Sequence, residues 1–257
     1  MTSRGQPGSD LNSCREIRGR ARIAALVSVA GLLLAAGAVT LCCGQTSDIV
    51  TKPGPDTVVI QAGPFDVTQD ELDRWVEWTC SVDTSLAPAF ARRVLLEDHV
   101  LPRKVAEATA GPDRVAEVQE RADQLANLVA EGGGSVELLR TLGKQYGVDD
   151  DSTYHPQLNR LEAPVAHAVF TTPVGFCTRA IRVATGCIIA GVVAEDTKTT
   201  PKRRISRVFL EYSKQLTTPE IRRRVLAIKE GKAWVHPYHR DDLETFFGSL
   251  VERPIRQ

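Results

Sequence analysis

Methionine is all but missing from this chain: Met1 is the only one. That excludes the Met-rich, adaptable surfaces by which some proteins grip many partners. Aromatics are also scarce, at 5%, so the few large rings mark the places where anchoring contacts can form. No CxxC pair occurs, which removes zinc ribbons and thioredoxin-type redox centres. There is no P-loop, no GxSxG and no nucleophile beside a base at a recognisable spacing. Asp149-Asp150-Asp151 lacks the alternating oxygen ligands and distal glutamate of a calcium loop, and reads as a solvated loop. His236 and His239 have an HxxH spacing, but Pro237 breaks any helix that would align the two rings. A strand end followed by a turn is the expectation there. No cofactor and no metal is expected. Charge of one sign is not in excess either: Lys and Arg number 32, as do Asp and Glu. Arg4, Arg15, Arg18, Arg20 and Arg22 outweigh Asp10 and Glu16 before Gln45, so the rest is slightly acidic. That argues against nucleic acid as a partner, since phosphates call for a basic face.

What the sequence does have is one long apolar run. Ile23 to Cys43 reads IAALVSVAGLLLAAGAVTLCC and carries no charge. Its length matches the roughly 20 residues that cross a bilayer. Arginines crowd its N-terminal side and Asp48 follows it, which places residues 1–22 in the cytoplasm and the remainder outside. Three fates are open for it. It stays as a signal anchor, it is cleaved after Ala38 at the small-x-small site Ala36-Gly37-Ala38, or Cys42 or Cys43 is lipidated. Residues 44–57 form a polar linker containing two prolines.

Beyond the linker the pattern alternates between periods. Val58 to Thr68 reads as a strand, a Gly63-Pro64 turn and a return strand. Thr68-Gln69-Asp70-Glu71 is a capping box opening a helix whose apolar face carries Leu72, Trp75, Val76 and Trp78. A second helix follows Pro88, carries Phe90, Val94, Leu95 and Leu101, and is expected to kink or end at Pro102. A third opens at Pro112, with Val115, Val118, Ala122, Leu125 and Val129 at helical spacing, and stops at Gly132-Gly133-Gly134. A fourth carries Val136, Leu139, Leu142 and Tyr146, and residues 149–163 read as a polar loop. Phe176 to Val183 and Gly186 to Val193 read as a hairpin, Ile205 to Tyr212 as a strand, Thr218 to Gly231 as a capped helix, Ala233 to His236 as a strand, and Asp241 to Leu250 as a short helix. Cys177 and Cys187 flank the hairpin. They either bridge in an oxidising compartment or serve as small buried hydrophobes.

Two stretches carry a resemblance. VVIQAGPFDVTQDELDRW is similar to the entry of the SurA-like periplasmic chaperones, where a strand, a glycine turn and an "ITxxEL" helix start open a helical region. Ala168 to Gly175 resembles the "AxFxLPVGE" segment of parvulin-type peptidyl-prolyl isomerases, and Ala180 to Ile189 resembles their "PVRTxxGxHII" hairpin. The likeness covers roughly residues 57–195. The fold it implies is α+β: an N-terminal transmembrane helix (23–43), a SurA-like helical region (58–110) and a degenerate parvulin-like domain with a small antiparallel sheet (111–195). A strand-helix-strand extension (196–257) follows. Departures from the family are specific. The "RAxHIL" strand that opens a parvulin has no counterpart before Pro112, and the histidine of "GxHI" is Ile188 here. The strand RRISRVFLEY could take the place of the missing one. The C-terminal segment could instead return to the N-terminal helical region.

The function the resemblance implies is an extracytoplasmic, membrane-anchored foldase or chaperone, in the inner membrane with the bulk of the chain in the periplasm or extracytoplasmic space. Its partners would be unfolded or proline-containing polypeptides. Turning an X-Pro bond means breaking amide resonance, and in parvulins paired histidines set the hydrogen bonds of the prolyl pocket. An isoleucine cannot make those bonds, so weak or absent isomerase activity is expected and no catalytic residue is assigned. Candidate substrate-binding residues are Phe170 and Ile188 on the parvulin-like part, and Leu72, Trp75, Val76 and Phe90 among the helices. A non-catalytic accessory or assembly protein that binds one fixed partner is the alternative.

Overall fold

A computed structural model describes residues 50–159, 162–197, 201–213 and 217–256. The expected cytoplasmic segment 1–22 and membrane span 23–43 lie outside the described residues. Among the described residues no helix is long and apolar enough to cross a membrane.

The chain opens with a hairpin, β1 (Val58–Ala62) and β2 (Phe65–Thr68). Gly63, at φ 53°, supplies the left-handed residue of its tight turn. The expected capping box is present at the start of α1 (Gln69–Asp73). The Thr68 hydroxyl accepts from the Glu71 amide at 3.3 Å, and the Glu71 carboxylate accepts from the Thr68 amide at 3.1 Å. Then come α2 (Val76–Val82), α3 (Pro88–Leu95) and α4 (Leu101–Ala110). Of the two outcomes expected at Pro102, an end and a kink, the helix does not end there. The turn before it, Leu96–Val100, widens to a π turn in which the Leu101 amide donates to the Leu96 carbonyl. A widened turn takes up a proline that lacks an N–H and would crowd the preceding carbonyl.

α5 (Pro112–Glu131) and α6 (Val136–Gly143) follow, separated by the triple glycine. Residues 148–154, expected to be loop, form a strand: β3 (Val148–Tyr154). After α7 (Ala163–Thr171) come β4 (Ile181–Val183), β5 (Gly186–Asp196) and β6 (Lys202–Glu211). These strands make an antiparallel sheet in the order β3-β6-β5-β4. The late strand β6 therefore lies inside the sheet, between β3 and the hairpin, and among the described residues no strand from before Pro112 enters it. α8 (Thr218–Glu230), β7 (Lys232–Val235), α9 (Arg240–Leu243) and β8 (Ser249–Val251) complete the chain. β7 returns to pair antiparallel with β1, and β8 pairs parallel with β7, giving a second sheet in the order β2-β1-β7-β8. The stretch 196–257 is thus shared out. Its first strand joins the β3–β6 sheet, and its later strands close on the N-terminal hairpin.

Strand alternation splits the β3–β6 sheet into two apolar faces. Cys187, Ile189, Val208 and Leu210 pack against Val118, Ala122, Leu125, Val129 and Leu139 of α5 and α6. That core runs without interruption through α4 to Ile60, Val67 and Val235 of the other sheet. Ile188, Ala190, Val192 and Ile205 face the opposite way, onto Val165, Ala166 and Val169 of α7. The register also settles the cysteines. Cys177 lies opposite Gly191, four positions along β5 from Cys187. Four residues of strand span about 13 Å, well past the ~7 Å Cα separation that a disulfide tolerates. Both thiols are free, and burial pushes Cys177 up to about 11, so it stays protonated.

Candidate functional site

The residues expected to bind substrate separate in the fold. Leu72 is 1% exposed and sits in the main core. Val76 is buried against Ala91, Leu95 and Ala163. Neither offers surface to a ligand. Phe90 stands out from α3, 51% exposed. In contrast, Phe170 lies on α7, and Trp75 and Ile188 flank that helix.

Ile188 lies on the α7 face of β5, and the register fixes its neighbours. Ile181 of β4 is opposite it on one side and Phe209 of β6 on the other. Ile188 therefore belongs to an unbroken apolar row, Ile181–Ile188–Phe209. The Phe209 ring leans over Gly186. A Cβ built on Gly186 would come within 2.8 Å of Phe209 Cε2 and 2.1 Å of the Leu210 carbonyl oxygen. Glycine at 186 is what lets this ring settle. Trp78, Phe170, Ile181, Val183 and Phe209 are half-buried around the same cluster, so apolar surface remains beside α7 after the fold has closed.

On its far side α7 meets the N-terminal helices through aromatic rings. The His167 ring centroid is 5.5 Å from that of Trp75 and 6.0 Å, edge-on, from that of Trp78. Trp78 touches both the α7 cluster and the cluster around Val76, so it spans the junction between the helices and the sheet.

Arg203 of β6 sets the end of α7. Its Nη1 donates to the Val169 carbonyl at 2.6 Å and to the Thr172 carbonyl, its Nη2 donates to Glu195 Oε2 at 3.1 Å, and its guanidinium lies 5.5 Å from the centre of the Phe170 ring. The last carbonyls of a helix have no partner within the helix, and a cation suits the negative end of its dipole. Replacing Arg203 by Met keeps the stem but strands two carbonyls. The expected cost is about 2 kcal/mol, read as a lower urea midpoint. Arg203→Lys should recover little of it, because one ammonium cannot reproduce the planar fork.

No imidazole faces another across this sheet. His99 lies in the π turn, His155 follows β3, His167 faces the tryptophans, and His236 and His239 flank the turn after β7. The chain has 5 histidines, so none is left for the apolar row. Among the described residues, no cluster of His, Cys, Asp and Glu could hold a metal ion. Two hollows of about 480 Å³ each run along α5, one beside Cys177 to Ala180 and one beside Tyr146 and Phe209. Both are open troughs of mixed polarity, and neither contains Phe170 or Ile188.

Sequence reasoning missed Phe209, Ile181 and His167 as part of this surface. Alternation along RRISRVFLEY puts Phe209 on the face of Ile205, but only long-range register makes it the neighbour of Ile188. Comparison with protein-family models, with curated proteins and with solved structures gave no match for the chain.

Proposed function

We propose that this chain is an extracytoplasmic, membrane-anchored foldase or holding chaperone on a divergent parvulin-like scaffold. It binds unfolded or proline-containing polypeptides and does not turn their X-Pro bonds at a useful rate. The observation that carries this reading is the pairing of Ile188 with Phe209. A prolyl isomerase of this type needs polar hydrogen-bonding groups at that point of the sheet, and two apolar side chains occupy it. They offer a dry place for an apolar segment and nothing that favours a twisted amide over a planar one. The position of β6 supports the same scaffold, because a strand from late in the chain supplies the place that the absent early strand leaves. The apolar run 23–43 would hold the body at the membrane, with residues 44–57 as its tether.

Binding would come from removing Trp75, Trp78, Phe170 and Phe209 surface from water, at roughly 25 cal/mol per Å² of apolar area. Such a surface is non-directional and tolerates many sequences. In the full chain carrying Trp234→Phe, the remaining fluorescence comes from Trp75 and Trp78. Adding a chemically unfolded, unrelated protein should shift that emission to the blue, and the full chain should slow that protein's aggregation. Trp75→Ala/Trp78→Ala should lose most of this protection while circular dichroism stays native. Unchanged protection by the double variant would remove the surface from the reading. An absence of any protection, together with co-purification of one stable partner, would turn it into the fixed accessory role.

A further inference from the structure

The turn after β7 is bolted to the N-terminal helices by a network that the proposed client surface does not use. His239 is fully buried. Its Nε2 lies 2.7 Å from Gln69 Oε1, and Gln69 Nε2 donates to Asp73 Oδ2 at 2.7 Å. Asp73 Oδ1 accepts from Arg92 Nε at 2.8 Å, and Arg92 Nη1 donates to Asp242 Oδ2 at 2.7 Å. Arg93 reaches the Asp242 carbonyl, and Lys52 lies 2.8 Å from Asp73 Oδ2. The direction of this relay fixes the histidine. The Gln69 amide nitrogen is committed to a carboxylate, so its oxygen must accept, and His239 must carry its proton on Nε2. Nδ1 is then a bare lone pair, buried and without a partner.

We propose that His239 is an acid-sensitive latch: protonating Nδ1 releases the segment 237–248 from α1 and α3 and uncovers Leu243, Phe246 and Phe247. An added proton on Nδ1 would be a donor with no acceptor, in a site without solvent. Among the groups around it cations already outnumber carboxylates: Lys52 before β1 and Arg92 and Arg93 on α3 against Asp73 on α1 and Asp242 on α9, with His236 and Tyr238 on its own turn. A new positive charge adds to that excess. Burial, with Arg92 next in effect and Asp73 and Asp242 opposing, pushes His239 down to about 4. Leu243, Phe246 and Phe247 follow His239 in the connection between β7 and β8 and now close one end of the main core. In water they would form a second apolar surface, separate from the α7 row, so the latch stands whether or not that row binds clients.

Hydrogen exchange of the full chain, corrected for the pH dependence of the chemical step, tests this. Between pH 6.5 and 4, amides of 237–248 should lose at least tenfold in protection, while those of β5 and β6 keep theirs. His239→Gln, which retains a donor to Gln69 and cannot take up a proton, should hold 237–248 closed at pH 4. Protection of this segment at pH 4 in the unaltered chain, or identical opening in both chains, would overturn the latch. If the variant does not fold, the ¹⁵N-histidine spectrum of the unaltered chain decides. A His239 resonance that gains its proton near pH 6.5 with the segment still closed would overturn it. A resonance of the Nε2–H tautomer that persists until the segment opens would support it.

Discussion

Gly186→Ala should cost about 3 kcal/mol or more of unfolding free energy and abolish client binding with it. The added methyl would stand 2.1 Å from the Leu210 carbonyl oxygen and 2.8 Å from the Phe209 ring. A ring at the end of a flexible side chain can turn away, but a backbone carbonyl cannot. β5 and β6 would have to part at the register that pairs Gly186 with Glu211, two rungs from the one that sets Ile188 against Phe209. Strand separation at that rung loosens both apolar faces of the sheet. Urea unfolding checks the stability loss, and emission from Trp75 and Trp78 with an unfolded client checks the binding. Gly54→Ala is the control, since a Cβ there meets only Thr57 Oγ1 at an ordinary 3.6 Å. A Gly186→Ala midpoint equal to that of the control would contradict the described β5–β6 packing.

Global stability should fall steeply as the solution is acidified from pH 6.5 to 4, and His99 should carry much of the fall. Burial in the π turn, reinforced by Arg103 and Arg74, pushes His99 down to about 4. In the unfolded chain the imidazole titrates near its ordinary value of about 6.5. As pH drops, the unfolded state therefore takes up its proton first, and the native state is left behind by on the order of 3 kcal/mol once pH reaches the folded value. Above about pH 6.5 both states hold a neutral ring and this penalty vanishes. The carboxyls of Glu71 and Asp73 extend the trend further into acid. Burial alone would raise both, but Lys104, Thr68 and Arg103 around Glu71, and Lys52 and Arg92 around Asp73, hold them below the usual range. Their contribution is present at neutral pH and is lost as pH falls through those lowered values. His99→Gln should flatten the curve between pH 6.5 and 4, whereas unchanged slopes in urea titrations of the two chains would place the acid sensitivity elsewhere. His239, in a segment able to open on its own, should show its share first as local exchange.

Much of the local architecture was legible because its signals are local. The Thr68–Glu71 box, the three-and-four spacing of α5, the glycines after it and the Gly63-Pro64 turn each depend on neighbouring residues. The structure differs where partners are distant. β3 carries three aspartates and no apolar alternation, so nothing local marks it. It becomes a strand because β6 offers it a ladder. Proline alone left a kink and an end both open at Pro102, whereas Leu96, Val100 and Leu101 are all core residues that keep the helix running through a wider turn. The late strands were expected to add at the edge of one sheet or to return to the N-terminal region, and only long-range pairing decides between these. β6 pairs in the interior of its sheet, between β3 and β5, while β7 and β8 close on the N-terminal hairpin. For the site, helix periodicity named Leu72 and Val76 along with Trp75, but periodicity marks a buried face and does not say which part of it stays open. The apolar row itself depends on register between strands about 20 residues apart, which no window of sequence carries.

Isomerisation of a short X-Pro peptide, followed by NMR exchange in the presence of the full chain, bears most directly on the claim that Ile188 and Phe209 leave the scaffold able to hold a chain but not to rotate its bonds. The expected result is interconversion on the uncatalysed scale of tens of seconds, unchanged at any concentration that protects an unfolded client. Turnover that rises in proportion to the protein, and disappears on replacing Phe209, would contradict it.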